Sequence, residues 1–368
     1  MDCRIYPIIL SIVPKITAAE IDRLVEFCGD IPSIFSERRE VLYKLDGVRK
    51  ATVDFMHSKD ITSKAEEELK RMDYYGIQYV FYLDDTFPFK LLQIPDAPLI
   101  LFYKGNLPKL SSHTVSIIGT RKATNYGVHW VDRFVKSLSL AYDNIEIVSG
   151  LAYGIDQRAH QCSVSFDIPT FGILGHGLHT IYPASNASLA AKIIDSGGGI
   201  ISEFPTFHSI RPQNFIQRNR IIAGLSDAVV VVESKVKGGA IHTANMAFSY
   251  SREVFALPGS YLHDTSEGCH QLIKRQVASL IDSADDIERV MDWPKSREVE
   301  SISQNIFEAT LDSFAKKVLQ MIQDQDKISI DEMGTKLNIP IAKLSPILTQ
   351  LEFMNLIEVL PGKYYRSI

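Results

Sequence analysis

Small and hydroxylated residues recur in this 368-residue sequence wherever a short apolar run ends. Gly119-Thr120-Arg121-Lys122, the series Ser149-Gly150-Leu151-Ala152-Tyr153-Gly154, Gly175-His176-Gly177, Ser202-Glu203 and Glu233-Ser234 each lie just past such a run. Glycine lets backbone N–H groups approach a ligand closely, and a following helix offers its positive N-terminus to an anion. Turns of this kind along one edge, with Arg121 in the first, suit a ligand bearing several phosphates. A second concentration is the stretch 211–220, with Asn214, Phe215, Arg218, Asn219 and Arg220, opening an amphipathic helix that continues through Ile221, Ile222 and Leu225. Arg218 and Arg220 offer forked donors for phosphates or base edges, and Phe215 offers a stacking platform. The alternative is that Phe215 is core and the arginines pair with Glu203 or Glu233. Lys235 and Lys237, ahead of Gly238-Gly239, bring flexible positive charge to the same side, or form a solvated loop. His160 and His242 lie near helix starts, where a lone histidine is commonly structural. Glu233 beside an anion edge is expected to orient an arginine or an exposed amide.

The absent motifs narrow the chemistry. There is no Gly-x-x-x-x-Gly-Lys-Ser/Thr, so a P-loop ATPase is excluded. The nearest dinucleotide fingerprint, Gly175-His176-Gly177-Leu178-His179-Thr180, follows the third apolar run and lacks its last glycine, which argues against NAD. Ser149 is not in a Gly-x-Ser-x-Gly elbow, and no His-Glu-x-x-His or acidic pair at metal spacing stands out. Cys3, Cys28, Cys162 and Cys269 sit far apart, with no Cys-x-x-Cys. No catalytic residue, metal or cofactor is expected, and a reducing, cytoplasmic compartment is.

The elements that must position these groups are legible in the apolar pattern. Val115–Ile118, Ile145–Val148, Thr170–Leu174, Ile200–Phe204, Ala228–Val232 and Val254–Leu257 end 25 to 30 residues apart. The intervals carry helical spacing, as in Val131, Phe134, Val135 and Leu138. Runs apolar throughout, alternating with helices, predict a Rossmann-like, doubly wound α/β fold with a mainly parallel sheet. Ligands in such folds sit at the carboxyl ends of the strands.

Ile77–Leu83 and Leu99–Tyr103 read as a strand pair at a sheet edge. Residues 1–72 read as a small helical domain, with Ile21, Leu24, Val25 and Cys28 on one face and a stop at Gly29-Asp30-Ile31-Pro32. Leu45-Asp46-Gly47-Val48 is a turn between short helices. Residues 73–281 form the α/β body and 282–304 an acidic linker. Residues 305–368 form a winged helix, with helix-turn-helix spacing over 330–337 and 341–354 and a hairpin wing beyond. Its second helix offers only Lys343, Gln350 and Asn355 as polar readers, which favours a protein-contact role over duplex reading.

Composition agrees with a globular chain: 45% hydrophobic, 23% charged. No run approaches a membrane span and no export signal is read. Formal net charge is −5, yet residues 113–275 alone carry +2. Any polyanion site must therefore come from placement rather than bulk charge.

The central motifs carry a resemblance. The series 117–123, Ser149–Asp156 with His160, Gly175-His176-Gly177-Leu178 with Tyr182-Pro183, and Ser202-Glu203-Phe204-Pro205 come in order. Phe215 with Arg218–Gly224, Val232-Glu233 and Leu257-Pro258-Gly259 follow. Together they resemble the DNA-processing protein A (DprA, or Smf) family over about residues 75–280. The head resembles that family's sterile-alpha-motif-like domain and the tail its winged helix. The resemblance implies a dimeric, non-enzymatic protein that binds and protects single-stranded DNA in natural transformation and loads a RecA-family recombinase. Its DNA site would fall on Gly119, Thr120, Arg121, Phe215, Arg218, Asn219 and the loop Lys235–Gly239. Two stretches depart from the pattern. Lys237-Gly238-Gly239-Ala240 stands where Ser-Gly-Ser is common, and His270 stands where asparagine is. Two alternatives remain: a nucleoside-monophosphate phosphoribohydrolase and a winged-helix transcriptional regulator. The first is disfavoured because Asn245 falls where its catalytic glutamate belongs, and an asparagine is not a base.

Overall fold

The structure is a computed structural model, and it describes residues 2–110, 112–294, 313–323, 325, 327–337, 339–353, 357–360, 362 and 364–367. The chain divides into two compact units, residues 1–296 and 297–368.

The first unit begins with helices α1 (Ile5–Ile12), α2 (Ala18–Cys28), α3 (Ile31–Ser36), α4 (Arg39–Leu42), α5 (Lys50–Met56) and α6 (Lys59–Tyr75). Gly29, at φ +94°, ends α2, and the Asp30 carboxylate accepts from Ser33 N at 2.7 Å to start α3. The predicted turn at 45–48 is a plain helical corner: Gly47 takes φ +77°, and Arg23 donates to its carbonyl at 3.1 Å.

Next come β1 (Gln78–Phe81), α7 (Phe89–Leu92), β2 (Ile100–Gly105), β3 (His113–Ile118), α8 (Asn125–Ala141) and β4 (Ile145–Ser149). They are followed by α9 (Ile155–Ser165), β5 (Thr170–Leu174), α10 (Ala187–Asp195), β6 (Gly199–Ser202), α11 (Pro212–Leu225) and β7 (Ala228–Val231). The unit closes with α12 (Gly239–Ser249), β8 (Glu253–Ala256), α13 (Asp264–Lys274), β9 (Ser279–Leu280) and α14 (Ala284–Met291).

Among the described residues these nine strands form one sheet, in the order β1-β2-β6-β5-β4-β3-β7-β8-β9. Strands β3 to β9 run parallel where they pair, and β1 and β2 are the antiparallel edge pair. Six of the seven body strands, β3 to β8, fall on the predicted apolar runs, and the two-residue edge strand β9 was not among them. The reason is burial on both faces. Val115, Ile117 and Val230 belong to the core beneath α8 and α9, while Ile118, Val229 and Val231 belong to the core beneath α11 and α12. The head shares a third core with the sheet, in which Ile8, Leu24 and Met56 join Phe81, Phe102 and Ile200.

One segment departs from expectation. The stretch read as the start of a linker holds α14, which buries Ile287 against the α8 side of the sheet. Ser283 and Asp286 form a capping box, so acidic residues in its first turn favour the helix dipole instead of solvating a tether. Residues 295–304 of the expected linker lie outside the described residues.

The second unit holds α15 (Ser313–Gln323), β10 (Ile328–Ser329), α16 (Ile330–Leu337), α17 (Ile341–Phe353), β11 (Ile357–Leu360) and β12 (Tyr364–Ser367). Among the described residues its strands order as β10-β12-β11 over a core of Val318, Leu319, Met333, Leu344 and Leu348. This is a winged helix with the predicted helix pair and wing. Met354 and Asn355 lie outside the described residues.

Glu68 fastens head to body. It is 1% exposed and accepts from Thr206 N at 2.7 Å and Thr206 Oγ1 at 2.5 Å. Glu68→Ala strands that buried amide. Urea unfolding should show the chain destabilised by about 1–3 kcal/mol, and an unaltered midpoint would refute the fastening role.

Candidate nucleic-acid interface

The strand order reverses at β3. The chain steps from β3 through β4 and β5 to β6 on one side, then returns to β7, β8 and β9 on the other. Doubly wound folds bind ligands at such a reversal, because the two following loops diverge and leave a crevice. Here the crevice is an open cavity of about 620 Å³. Its walls are the loop after β3 (Gly119, Thr120, Arg121), the loop after β7 (Ser234, Lys235, Lys237, Gly238, Gly239) and one face of α11.

Glu233 holds the first of these loops. Its backbone carbonyl accepts from Thr120 N at 2.7 Å, and its carboxylate accepts from Thr124 N at 2.9 Å and Thr124 Oγ1 at 2.6 Å. The side chain is buried, and Gly127 makes room for it: a Cβ there would lie 2.5 Å from Oε2. The glutamate thus orients amides, as its position suggested. From the other side, Gly154 at φ +77° abuts the same loop. A Cβ on it would stand 2.3 Å from Thr120 O, so only glycine fits.

On α11, residues 215, 218, 219 and 222 recur at helical spacing and all line the crevice. The Phe215 ring is half-buried, 5.8 Å from the ring of Tyr182. Gly175 permits this approach, since a Cβ there would touch the Phe215 ring at 3.0 Å.

The predicted residues separate into three groups. Gly119, Thr120, Arg121, Phe215, Asn219, Lys235, Lys237, Gly238 and Gly239 meet at the crevice, and Arg121 is exposed there. Gly150, Gly154, Gly175, Gly177 and Lys122 lie around it without lining it. Gly150 lies under Arg218 and Asp156, and Gly177 is packed on Pro205 and Thr206. Lys122 is exposed on the same loop. Lys235 also pairs with Asp264 at 3.1 Å, a surface contact that costs little to break.

The third group corrects the sequence reading. Arg218 is 5% exposed and turns inward, donating to the carbonyls of Gly150, at 2.8 Å, and Ile173. Burial lowers its pKa to about 10, opposed by the nearby charge of Asp156. It lines the floor of the crevice with its guanidinium engaged by the protein's own carbonyls. Arg220 faces the opposite way, donating to Glu203 and to Asp96 O, as the alternative reading had it. His160 is fully buried, bonded to Thr170 Oγ1 at 2.7 Å. Burial, and then the charge of Arg218, push its pKa to about 3, so it stays neutral. Ser149 donates to Ile117 O at 2.6 Å inside the sheet. Asn214 donates to Ser209 O at 2.9 Å and closes its own loop.

Ser234, from the predicted Glu233-Ser234 turn, lines the crevice, and so do Tyr182, Ile216 and Thr243, which were not expected there. Tyr182 had a signal, since it stands in the Tyr-Pro after the third glycine turn. Asn245, aligned above with a catalytic glutamate, donates to Ile241 O at 2.8 Å, a bond within its own helix. Among the described residues no group of three histidine, cysteine or carboxylate side chains is placed to hold a metal, and no helix is long and apolar enough to cross a membrane.

The family model for DNA recombination-mediator protein A matches residues 78–292, and that for the DprA winged helix domain matches 308–363. The chain belongs to the DprA/Smf family. Protein Smf of Escherichia coli is 34% identical over 284 residues, covering 77% of this chain and 75% of that protein. DNA processing protein DprA of Streptococcus pneumoniae is 38% identical over 205 residues, 56% of this chain and 71% of its own. Its crystal structure superposes with a TM-score of 0.64 at 31% identity, covering 77% of this chain and 96% of that one. A structure of Helicobacter pylori DNA processing protein A, which concerns its single-stranded DNA binding mode, gives a TM-score of 0.51 at 26% identity, covering 58% and 95%.

The inward turn of Arg218 has a measurable consequence. Arg218→Ala removes the donor from two buried carbonyls and leaves Asp156 without its nearby positive charge. Thermal or urea unfolding should show a loss of about 3–5 kcal/mol. A stable variant with merely reduced salt dependence of DNA binding would reverse the assignment.

Proposed function

We propose that this chain binds single-stranded DNA in the crevice between β3 and β7, as a recombination mediator. The observation that carries the reading is the meeting, at one strand-end crevice, of Arg121 and Lys237, of glycine-lined turns, and of the Phe215–Tyr182 ring pair. Cations and turns suit phosphates, while rings suit unpaired bases, because every base has a stackable face. A duplex hides those faces. The Helicobacter pylori relative, a protein that binds single-stranded DNA, supports the same ligand class for this site.

Family membership supports two further steps: handing the bound strand to a RecA-family recombinase, and working as a homodimer. A non-enzymatic role fits a site in which the carboxylate lining the crevice, Asp156, and the one behind its first loop, Glu233, are both engaged. Glu233 is bonded to Thr124, and Asp156 accepts from Gly150 N at 3.2 Å.

Fluorescence anisotropy with a labelled oligonucleotide tests the site. Arg121→Ala should weaken binding and reduce the slope of log K against log salt by about 0.7, the single-strand value for one phosphate contact. Unchanged binding by a folded variant would count against that loop. Phe215→Ala should lose about 1–3 kcal/mol of affinity with the salt slope intact, because stacking releases no counterions. A slope change as large as that of Arg121→Ala would show that the ring acts through the fold instead.

A further inference from the structure

Tyr182 lines the crevice on one side. The preceding residues, His179 to Ile181, leave it and border a groove beside α10, whose floor and walls include Lys104, Ala187 and Ala191. His179 also borders a second hollow at the C-terminal end of α6, where Lys70, Tyr74 and Tyr75 stand. The ring of His179 lies 6.2 Å from that of Tyr75, and Tyr75 meets Tyr74 edge-on at 4.9 Å. The Lys104 ammonium is 5.9 Å from the centre of the Tyr75 ring. Tyr74 is 82% exposed, with Tyr75 meeting only its edge. The acidic neighbour, Glu67, is paired with Arg71 at 2.5 Å, so its charge is largely cancelled.

We propose that a single strand seated in the crevice continues over residues 179–182 to the Tyr74–Tyr75 pair, so that the binding lane extends onto the helical head. This rests on the single-strand reading of the crevice. Three features favour the same polymer over a separate partner. The second surface repeats the chemistry of the first, with aromatic faces beside ammonium groups. It connects to the crevice through four consecutive residues, one of which, Tyr182, already stands against Phe215. Its uncancelled side-chain charges, Lys70 and Lys104, are positive, as a phosphate backbone requires. Lys104 is held by Tyr75 through a cation–π contact, so the tyrosine anchors the cation while Tyr74 keeps a face open for a base.

The test compares oligothymidylates of two lengths on the full chain: one of about six nucleotides, within the span of a single binding module, and one of about thirty. Tyr74→Ala and Lys104→Gln should each weaken the long oligonucleotide, by about five-fold or more for the stacking loss, and leave the short one unchanged. Lys104→Gln should also lower the long oligonucleotide's salt slope by about 0.7. Arg121→Ala, the control for the crevice, should weaken both lengths. Parental affinity for both lengths in the Tyr74 and Lys104 variants, with Arg121→Ala still defective, overturns the lane and leaves the crevice standing. Equal weakening of both lengths by Tyr74→Ala also overturns it, because the side chain would then act through the fold. If Arg121→Ala binds both lengths normally, the crevice reading itself fails.

Discussion

A guanidinium buried under the strand ends is the constraint from which the interface follows. Arg218 is drawn into the sheet by the carbonyls of Gly150, just past β4, and Ile173, near the end of β5, with the charge of Asp156 nearby. Removing a charge from water is costly, so its polar partners must be met together. Meeting them fixes the rotation of α11 about its axis. Phe215, three residues earlier, and Asn219, one residue later, are then presented to the crevice, while Arg220 is carried round to Glu203 and Asp96. The residues that face DNA in this reading are exposed because another one is buried.

The same constraint governs the charge left for a ligand. The central segment has a net positive charge, but much of that charge is inside or paired. Arg158 binds Asp132, Arg220 binds Glu203, Arg252 donates to the backbone carbonyls of Lys90 and Gly224, and Lys235 leans on Asp264. Arg121, Lys122 and Lys237 remain as exposed cations near the crevice. A site with so few cations draws a large share of its affinity from stacking and backbone donors, and its salt dependence is correspondingly shallow. That balance suits a protein with a net charge of −5, which long-range attraction does not hold to nucleic acid in general.

The strands were legible because parallel strands buried on both faces read as unbroken apolar runs, and the glycine turns were legible because they follow those runs directly. The direction of a side chain was not. Arg218 and Arg121 are both arginines beside glycine-rich turns, and only three-dimensional context separates the inward one from the outward one. A partial signal existed: residues 215, 218, 219 and 222 share a helical face, and Ile222 on that face is core. For α14 the acidic composition of the segment outweighed a visible pattern, Ser283 as a cap and Ile287, Val290 and Met291 at helical spacing. The Tyr74–Tyr75 surface lacked any linear signal, because it joins the end of α6 to Lys104 and His179, far apart in the chain.

Glu233 explains how an acidic residue can stand where phosphates are expected. An uncompensated carboxylate at the end of β7 would repel a polyanion. Instead both of its oxygens accept hydrogen bonds from Thr124, and its own carbonyl accepts from Thr120, so the charge serves the first turn of α8. The arrangement ties the loop after β3 to the strand across the reversal point. Without such a tie, the two loops that diverge there would share no fixed geometry, and Arg121 would ride on a mobile turn. The acidic residue is therefore what allows the basic one to be held in place, and the crevice exists as a defined shape because the two sides of the topological reversal are fastened at its floor.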